Sequence, residues 1–209
     1  MKKNYSQLLE QLIERECSAK RPTLLLHACC APCSSYVLEY LAERFDITIL
    51  FFNPNIYPPA EYEFRAAELS RLVEEMGLVG RVRIINGRYD PHEFLEMAKG
   101  LENLREGGER CKKCYTLRLS ETARIAADAH FDYFTTTLSI SPHKNAEWIN
   151  EIGEEVGARY GVCHLPSDFK KKNGYKRSCE LSAQYGLYRQ DYCGCVFSKH
   201  EAEERSKKA

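Results

Sequence analysis

The chain has 209 residues, of which 44% are hydrophobic, so it can bury the core of one domain. Its 30 basic and 30 acidic residues cancel, which excludes binding to a polyanion through overall charge alone. No apolar run approaches the ~20 residues of a membrane span, and residues 1–6 are not followed by the apolar stretch of a secretory signal. We therefore expect a cytoplasmic protein that makes no membrane contact.

Helix and strand patterns alternate along the chain. Short apolar runs predict strands at 23–28, 47–53, 81–86 and 131–137, and a short extended piece at 162–165. Helical spacing and capping residues predict helices at 5–16, from Ser34 or Ser35 to Phe45, at 60–76, from Asp90 onward, at 112–129 and at 146–156. This alternation predicts an α/β fold with a doubly wound parallel sheet.

We expect one α/β domain over residues 1–209, divided into four segments. They are an N-terminal helix in 1–20, the sheet core in 23–165, a cysteine-containing extension in 166–198, and a charged tail in 199–209 that is frayed or helical. The extension also contains a run of basic residues, namely Lys170, Lys171, Lys172, Lys176 and Arg177. Charge alone favours interpreting this run as a solvated loop.

Seven of the ten cysteines fall into three clusters, which are Cys29, Cys30 and Cys33, then Cys111 and Cys114, then Cys193 and Cys195. Clustered cysteines in a chain without an export signal indicate metal ligands or reactive thiols more often than disulfides, although a disulfide framework stays an alternative. The three remaining cysteines stand alone and are expected to act as small buried hydrophobic residues; they are Cys17, Cys163 and Cys179.

The first cluster directly follows the first predicted strand, at the edge where parallel sheets bind ligands. Cys111 and Cys114 are three residues apart at a helix start, so they share a face, and we expect the helix N-terminus to lower their pKa values. Cys193-Gly194-Cys195 predicts a tight turn. Four thiolates are enough for a [4Fe–4S] cluster or a structural zinc ion, and the surplus leaves room for a second metal or for free thiols.

Five blocks of sequence resemble the signature of the QueH-type epoxyqueuosine reductase family. They are His27–Ser34, Asn53–Pro58 with Glu61, Tyr62 and Arg65, Arg110–Leu119, Thr136–Lys144, and Asp168–Cys195. Together they extend over nearly the whole chain, from about residue 23 to 198. The resemblance implies removal of the epoxide oxygen of epoxyqueuosine at the wobble position of a tRNA anticodon, giving queuosine and water without cobalamin.

The same resemblance implies a [4Fe–4S] cluster, an additional mononuclear iron and an external low-potential electron donor. It assigns the cluster-ligand role to four cysteines, Cys29, Cys30, Cys111 and Cys114. Cys193 and Cys195 then ligate the second metal or act as redox thiols. Cys33 is an alternative to any of these six.

Removing the epoxide oxygen requires an acid that protonates it as it departs. The candidates within the matching blocks are Asp168, Asp191, His143 and Tyr192, and Asp191 is alternatively a ligand of the extra iron. With tRNA as the implied partner, the basic run is expected to contact phosphates while aromatic rings stack on unpaired bases. The predicted tRNA-binding residues are Lys170, Lys171, Lys172, Tyr175, Lys176 and Arg177.

The fold pattern also resembles the adenine-nucleotide alpha-hydrolase-like (HUP/PP-loop) Rossmann-type sheets of tRNA thiolation enzymes. Those sheets carry a glycine-containing phosphate loop after the first strand, whereas this chain has Ala28–Cys33, which contains no glycine. Three alternatives to the reductase stay open: an ATP-dependent tRNA sulfur-transfer enzyme, a non-catalytic tRNA-binding module stabilised by zinc, and a thiol–disulfide oxidoreductase.

Overall fold

The computed structural model describes residues 3–18 and 20–207. Residues 1, 2, 19, 208 and 209, which belong to the predicted N-terminal and C-terminal segments, lie outside the described residues. The elements, in chain order, are α1 (Tyr5–Glu16), β1 (Thr23–His27), α2 (Ala31–Leu41), β2 (Asp46–Phe51), α3 (Pro59–Glu75), β3 (Arg83–Asn86), α4 (Pro91–Ala98), α5 (Glu109–Asp128), β4 (Tyr133–Thr136), α6 (Ala146–Tyr160), β5 (Cys163–His164), α7 (Gly174–Gln184) and α8 (Val196–Ser206). None of these helices is long and apolar enough to cross a bilayer.

The five strands form one parallel sheet in the order β3-β2-β1-β4-β5, which confirms the predicted doubly wound α/β fold. The chain winds outward from β1 to β3 and then returns to place β4 on the other side of β1. His27 pairs with Thr136 at the last register position of β1 and β4. This strand pair is the topological switch point, and ligands bind beyond its carboxyl ends in such sheets.

Two apolar cores cover the two faces of the sheet. Leu24 and Leu26 of β1 point into the core that contains residues of α2 and α3, whereas Leu25 points into the core that contains residues of α5 and α6. Alternate side chains of a strand point to opposite faces, so a strand buried on both faces is a continuous apolar run. The Leu24–Leu26 run is therefore explained by its central place in the sheet.

The start of α2 differs from the prediction. The sequence predicts a loop over Cys29–Cys33 and a helix capped by Ser34 or Ser35. In the structure the helix begins at Ala31, with Cys30 as its N-cap. Proline is tolerated in a first helical turn, so Pro32 starts the helix earlier than expected. Both serines lie inside the helix, and their hydroxyls donate to the carbonyls of Cys30 and Pro32.

Candidate metal centre

The first cysteine cluster occupies the short connection between β1 and α2. The Sγ atoms of Cys29, Cys30 and Cys33 all lie within 4.8 Å of one another, and those of Cys29 and Cys30 are 3.8 Å apart. The hydroxyl oxygen of Thr137, just beyond β4, lies 3.5 Å from the Cys29 sulfur. The three thiols form a group that can hold a metal ion at the switch point of the sheet.

The three thiols of this group have different pKa values because they share hydrogen bonds. Hydrogen bonds from Cys30 and Cys33, with the positive charge of Lys144, hold the pKa of Cys29 well below its ordinary value of 9.0. The bond to Cys29 raises the pKa of Cys30 to about 12, and the pKa of Cys33 is raised as well. Cys29 is therefore the first of the three to become a thiolate.

The second group of cysteines lines a small neighbouring cavity of about 20 Å³. Cys111 and Cys114 lie in the first turns of α5, and Cys195 is the N-cap of α8. Cys193 completes the group. The Sγ of Cys111 accepts a hydrogen bond from the Gly107 N–H at 3.2 Å. All three clusters therefore lie beside helix N-termini, whose N–H groups favour negative charge.

The expected lowering of the pKa values of Cys111 and Cys114 is wrong for this structure. Burial raises the pKa of Cys114 to about 12 and also raises those of Cys111 and Cys195. Removing a thiolate from water disfavours its charge, and here this cost exceeds the help from the helix end. These thiols are protonated at neutral pH until a metal displaces the proton.

Gly194 allows the last cluster to pack against α3 and the loop after β2. Its φ of +122° lies in the region that favours glycine, and an added Cβ would approach Arg65 Nη1 to 2.9 Å. The Gly194 carbonyl accepts from the Tyr57 N–H at 2.8 Å, and the Cys193 carbonyl accepts from Arg65 at 3.1 Å. These contacts fix Cys193 and Cys195 beside the other thiols.

Arg118 and Arg65 are buried arginines beside the thiols, and the sequence interpretation quoted both within motif blocks without assigning them a role. Arg118 is 1% exposed and Arg65 is 2% exposed. Arg118 follows Cys114 by one helical turn, a spacing that would have placed it on the same face. Burial acts to lower the pKa of Arg118, whereas negative charge at Cys114 and Cys193 acts to raise it. The second effect is larger, so the net shift is upward.

Lys144 is a third cation at the centre, and it is half-buried. Burial acts to lower its pKa, whereas Cys193, Cys29 and Cys33 raise it, and the net shift is upward. Its ammonium has no carboxylate partner among residues 3–18 and 20–207. The sequence interpretation quoted Lys144 within a motif block but assigned it no role.

A cleft of about 640 Å³ opens over the thiols. Cys33 and Cys193 line it together with three of the four predicted proton donors, His143, Asp191 and Tyr192. Asp168 is absent from this lining. Its carboxylate forms an ion pair with Lys170 at 2.5 Å and lines an adjoining cleft instead.

The predicted tRNA-binding residues do not form one uniform basic surface. Tyr175 lines the cleft over the thiols, whereas Lys170, Lys171 and Lys172 line the adjoining cleft. Lys172 forms an ion pair with Glu10, and Arg177 binds Glu39 at 2.7 Å. The side chains of Lys171 and Lys176 are exposed.

The donor set fits an iron–sulfur cluster. Seven thiols surround the site, all ten cysteines are free, and soft sulfur ligands select such clusters. A cluster with four thiolate ligands is an anion overall, and the buried guanidiniums of Arg65 and Arg118 lie beside the thiols that would hold it.

The model of the family described as epoxyqueuosine reductase QueH matches residues 24–201. The chain belongs to this family. The QueH of Streptococcus pyogenes is 45% identical over 198 residues, covering 93% of this chain and 78% of the relative. The QueH of Staphylococcus epidermidis is 46% identical over 200 residues, covering 93% and 84%. These matches confirm the resemblance and the predicted enzyme class, an oxidoreductase of queuosine biosynthesis.

The solved structures add a comparison of fold. The U34-tRNA thiolase NcsA from Methanococcus maripaludis, solved with its [4Fe–4S] cluster, superposes with a TM-score of 0.50 at 9% identity. The match covers 97% of this chain and 72% of that one. This likeness confirms the predicted relation of the QueH sheet to the folds of tRNA thiolation enzymes.

Proposed function

We propose that this QueH member reduces epoxyqueuosine in tRNA to queuosine within the cleft over the cysteines. The observation that carries the proposal is the convergence of three cysteine clusters at the switch point of the sheet. In the overall reaction both C–O bonds of the epoxide break and a C=C bond forms. The oxygen leaves as water after two electrons and two protons are added.

The cluster ligands that we propose are Cys29, Cys30, Cys111 and Cys114. When bound, a [4Fe–4S] cluster supplies electrons one at a time from an external low-potential donor. We assign Cys193 and Cys195 to an additional iron or to a redox-active thiol pair. Cys33 is the alternative to any of these six cysteines. The cytoplasm is the proposed location, because all ten cysteines are free and a reducing compartment keeps them so.

The side chains of the cleft then bind and protonate the substrate. A volume of about 640 Å³ suits a nucleoside that has swung out of the anticodon loop. Lys144 provides positive charge where the oxygen leaves, and a cation in a shielded site stabilises such developing negative charge. Asp191, His143 and Tyr192 are the proposed proton donors because they line the cleft, whereas Asp168 positions Lys170.

The anticodon arm is proposed to cross both clefts. Pro142, His143 and Lys144 line both of them, so they form the shared rim. Lys171 and Lys176 reach phosphates directly, and Tyr175 stacks on a base at the cleft. Lys170, Lys172 and Arg177 exchange their carboxylate partners for phosphates when tRNA binds.

One anaerobic experiment tests this proposal. The protein is purified without oxygen, iron and acid-labile sulfide are quantified, and tRNA containing epoxyqueuosine is supplied with a low-potential reductant. We expect a brown protein and the appearance of queuosine in the digested tRNA by mass spectrometry. A fully loaded protein that forms no queuosine would contradict the proposal.

The same preparation separates the alternatives. Colourless protein loaded with zinc would favour the tRNA-binding module. ATP turnover coupled to thiolation of tRNA would favour the sulfur-transfer enzyme, although Cys29 and Cys30 stand where that chemistry needs a phosphate loop. Full activity after metal removal would favour a thiol–disulfide oxidoreductase.

A further inference from the structure

Arg118 is a buried cation with too few hydrogen-bond partners. Its Nη1 donates to the Asn53 side-chain oxygen at 3.1 Å, while its Nε and Nη2 are buried with no acceptor among the described residues. Asn53 in turn donates to the Ala28 carbonyl, directly before Cys29. A buried charge with unsatisfied N–H groups costs several kcal/mol, so a fold retains it where an anion binds.

The unpaired N–H groups of Arg118 adjoin the thiols. Arg118 lines the small cavity together with Cys111, Cys114, Cys193 and Cys195. A side-chain oxygen of Asn55, which lines the same cavity, is also buried, and no donor in the described part of the chain reaches it. The polar groups of this cavity are therefore arranged for an occupant other than a protein side chain.

Arg65 repeats the pattern on the side of Cys30. Its Nε binds Glu61 at 2.7 Å, its Nη1 binds the Cys193 carbonyl, and its Nη2 is buried with no acceptor among residues 3–18 and 20–207. Arg118 and Arg65 come from α5 and α3, so two different helices each place a guanidinium with a buried, unpaired N–H group beside the cysteines.

We propose that Arg118 and Arg65 are positioning residues that neutralise the iron–sulfur centre, donate N–H bonds to its sulfur atoms, and raise its reduction potential. The inference rests on the proposed function, since it requires the cluster. Reduction adds negative charge to the centre, and an adjacent cation stabilises the reduced form more than the oxidised form. Hydrogen bonds to cluster sulfurs raise the potential in the same direction.

The test compares Arg118→Met with Arg71→Met, a control at an arginine of α3 that lines neither the cleft nor the small cavity. The Nε of Arg71 donates to Glu68 at 2.9 Å, and its Nη1 donates to the Tyr185 carbonyl at 3.0 Å. We expect Arg71→Met to lower the Tm of the metal-free protein. Arg118→Met should leave that Tm unchanged or raise it, while the gain in Tm on reconstitution with iron and sulfide shrinks.

The second readout is the reduction potential of the reconstituted centre, followed by its absorbance and without tRNA. At a fixed potential we expect the ratio of reduced to oxidised centre to fall at least about tenfold in Arg118→Met, as one nearby charge predicts. Arg118→Lys should restore part of the loss because it retains the charge but not the planar N–H groups. Arg65→Met should shift the ratio in the same direction.

Two results would overturn the inference. If Arg118→Met lowers the metal-free Tm as much as Arg71→Met and leaves the potential unchanged, Arg118 only braces the fold. If Arg118→Met and Arg65→Met both fail to fold, the reduction potential of Arg118→Lys tests the inference instead. A potential equal to that of the parent contradicts the N–H role. A parent protein that takes up no iron and sulfide would contradict the proposed function itself, whereas a normal parent with an unaltered variant contradicts this inference alone.

Discussion

The cations around the thiols and the cations of the basic run occupy opposite situations. In the interior, Arg118 and Arg65 have N–H groups for which the described residues supply no acceptor. On the surface, Lys172 and Arg177 are paired with carboxylates of Glu10 and Glu39. Water could hydrate Lys172 and Arg177, yet carboxylates neutralise them, whereas buried Arg118 forms no ion pair among residues 3–18 and 20–207, and Arg65 retains an unpaired N–H group despite its ion pair with Glu61.

This contrast indicates where the protein prepares for a strongly anionic ligand. A buried cation loses the hydration that a surface cation retains, so leaving it unpaired costs far more. The interior arrangement is therefore tolerable when thiolates and a cluster complete it. We expect the surface run to attract nucleic acid less than its five basic residues suggest, because carboxylates already offset part of the charge.

The largest expected effect comes from removing an interior thiolate. We predict that Cys111→Ala abolishes the visible chromophore and the bound iron, because the cluster loses one of its proposed ligands. Cys17→Ala is the matched control, since Cys17 lies at the end of α1 and packs against the apolar core. Absorbance and iron analysis after anaerobic reconstitution check this. A normal chromophore in Cys111→Ala would overturn the ligand assignment.

Lys144→Met tests the interior cation that faces the cleft. With the same tRNA preparation and the same reductant, we predict that kcat/KM falls about 10- to 100-fold, since a charge-assisted hydrogen bond contributes roughly 1.5–3 kcal/mol. Iron content is measured alongside, so that cofactor loss is separated from loss of catalysis. Lys113→Met, at an exposed position of α5, serves as the control. Equal kcat/KM values for the two variants would remove Lys144 from the mechanism.

The interior and the surface also differ in what the sequence can predict. Apolar runs such as 23–28 identify central strands because both faces of a parallel sheet are buried. Cysteine spacing identifies the thiols of the site because the three clusters meet at a single edge of the parallel sheet. The partners of Arg177 and Lys172 are not predictable in this way, since Glu39 and Glu10 are more than a hundred residues away along the chain.

Local rules failed where burial outweighed them. The start of α5 predicts acidic thiols, yet the pKa of Cys114 is raised because the folded chain removes it from water. Burial of an individual side chain depends on packing between distant elements, which spacing alone does not supply. The unsatisfied N–H groups of Arg118 could not be predicted from the sequence, because they too depend on packing between distant elements.

We predict that buried thiols such as Cys114 lower the stability of the metal-free protein at alkaline pH. Unfolded Cys114 loses its proton near pH 9.0, whereas the folded thiol retains it up to about pH 12. The unfolded chain therefore binds fewer protons in this window, so stability is complete below pH 9 and falls as the pH rises toward 12. At pH 10 the loss from this thiol is about 1.4 kcal/mol.

Urea unfolding of the metal-free, reduced protein at pH 7 and pH 10 measures this loss. Cys114→Ala should lose less stability over the interval than the parent, by about 1.4 kcal/mol. Cys179→Ala, at a half-buried cysteine in α7, controls for general alkaline effects. An identical loss in the parent and in Cys114→Ala would show that the thiol is not protected in the fold.

The smallest effect is expected at the surface, where paired and unpaired cations can be compared directly. Lys171→Gln should weaken tRNA binding about threefold and reduce the salt dependence of log Kd by about one, because an unpaired lysine neutralises one phosphate. Arg177→Gln should change both less, since the arginine must first leave Glu39 and exposed ion pairs contribute only about 0–1 kcal/mol. Kd values over a range of salt concentrations check this. A larger effect of Arg177→Gln would mean that tRNA displaces the carboxylate at little cost, and the contrast between the interior and the surface would then be one of burial alone.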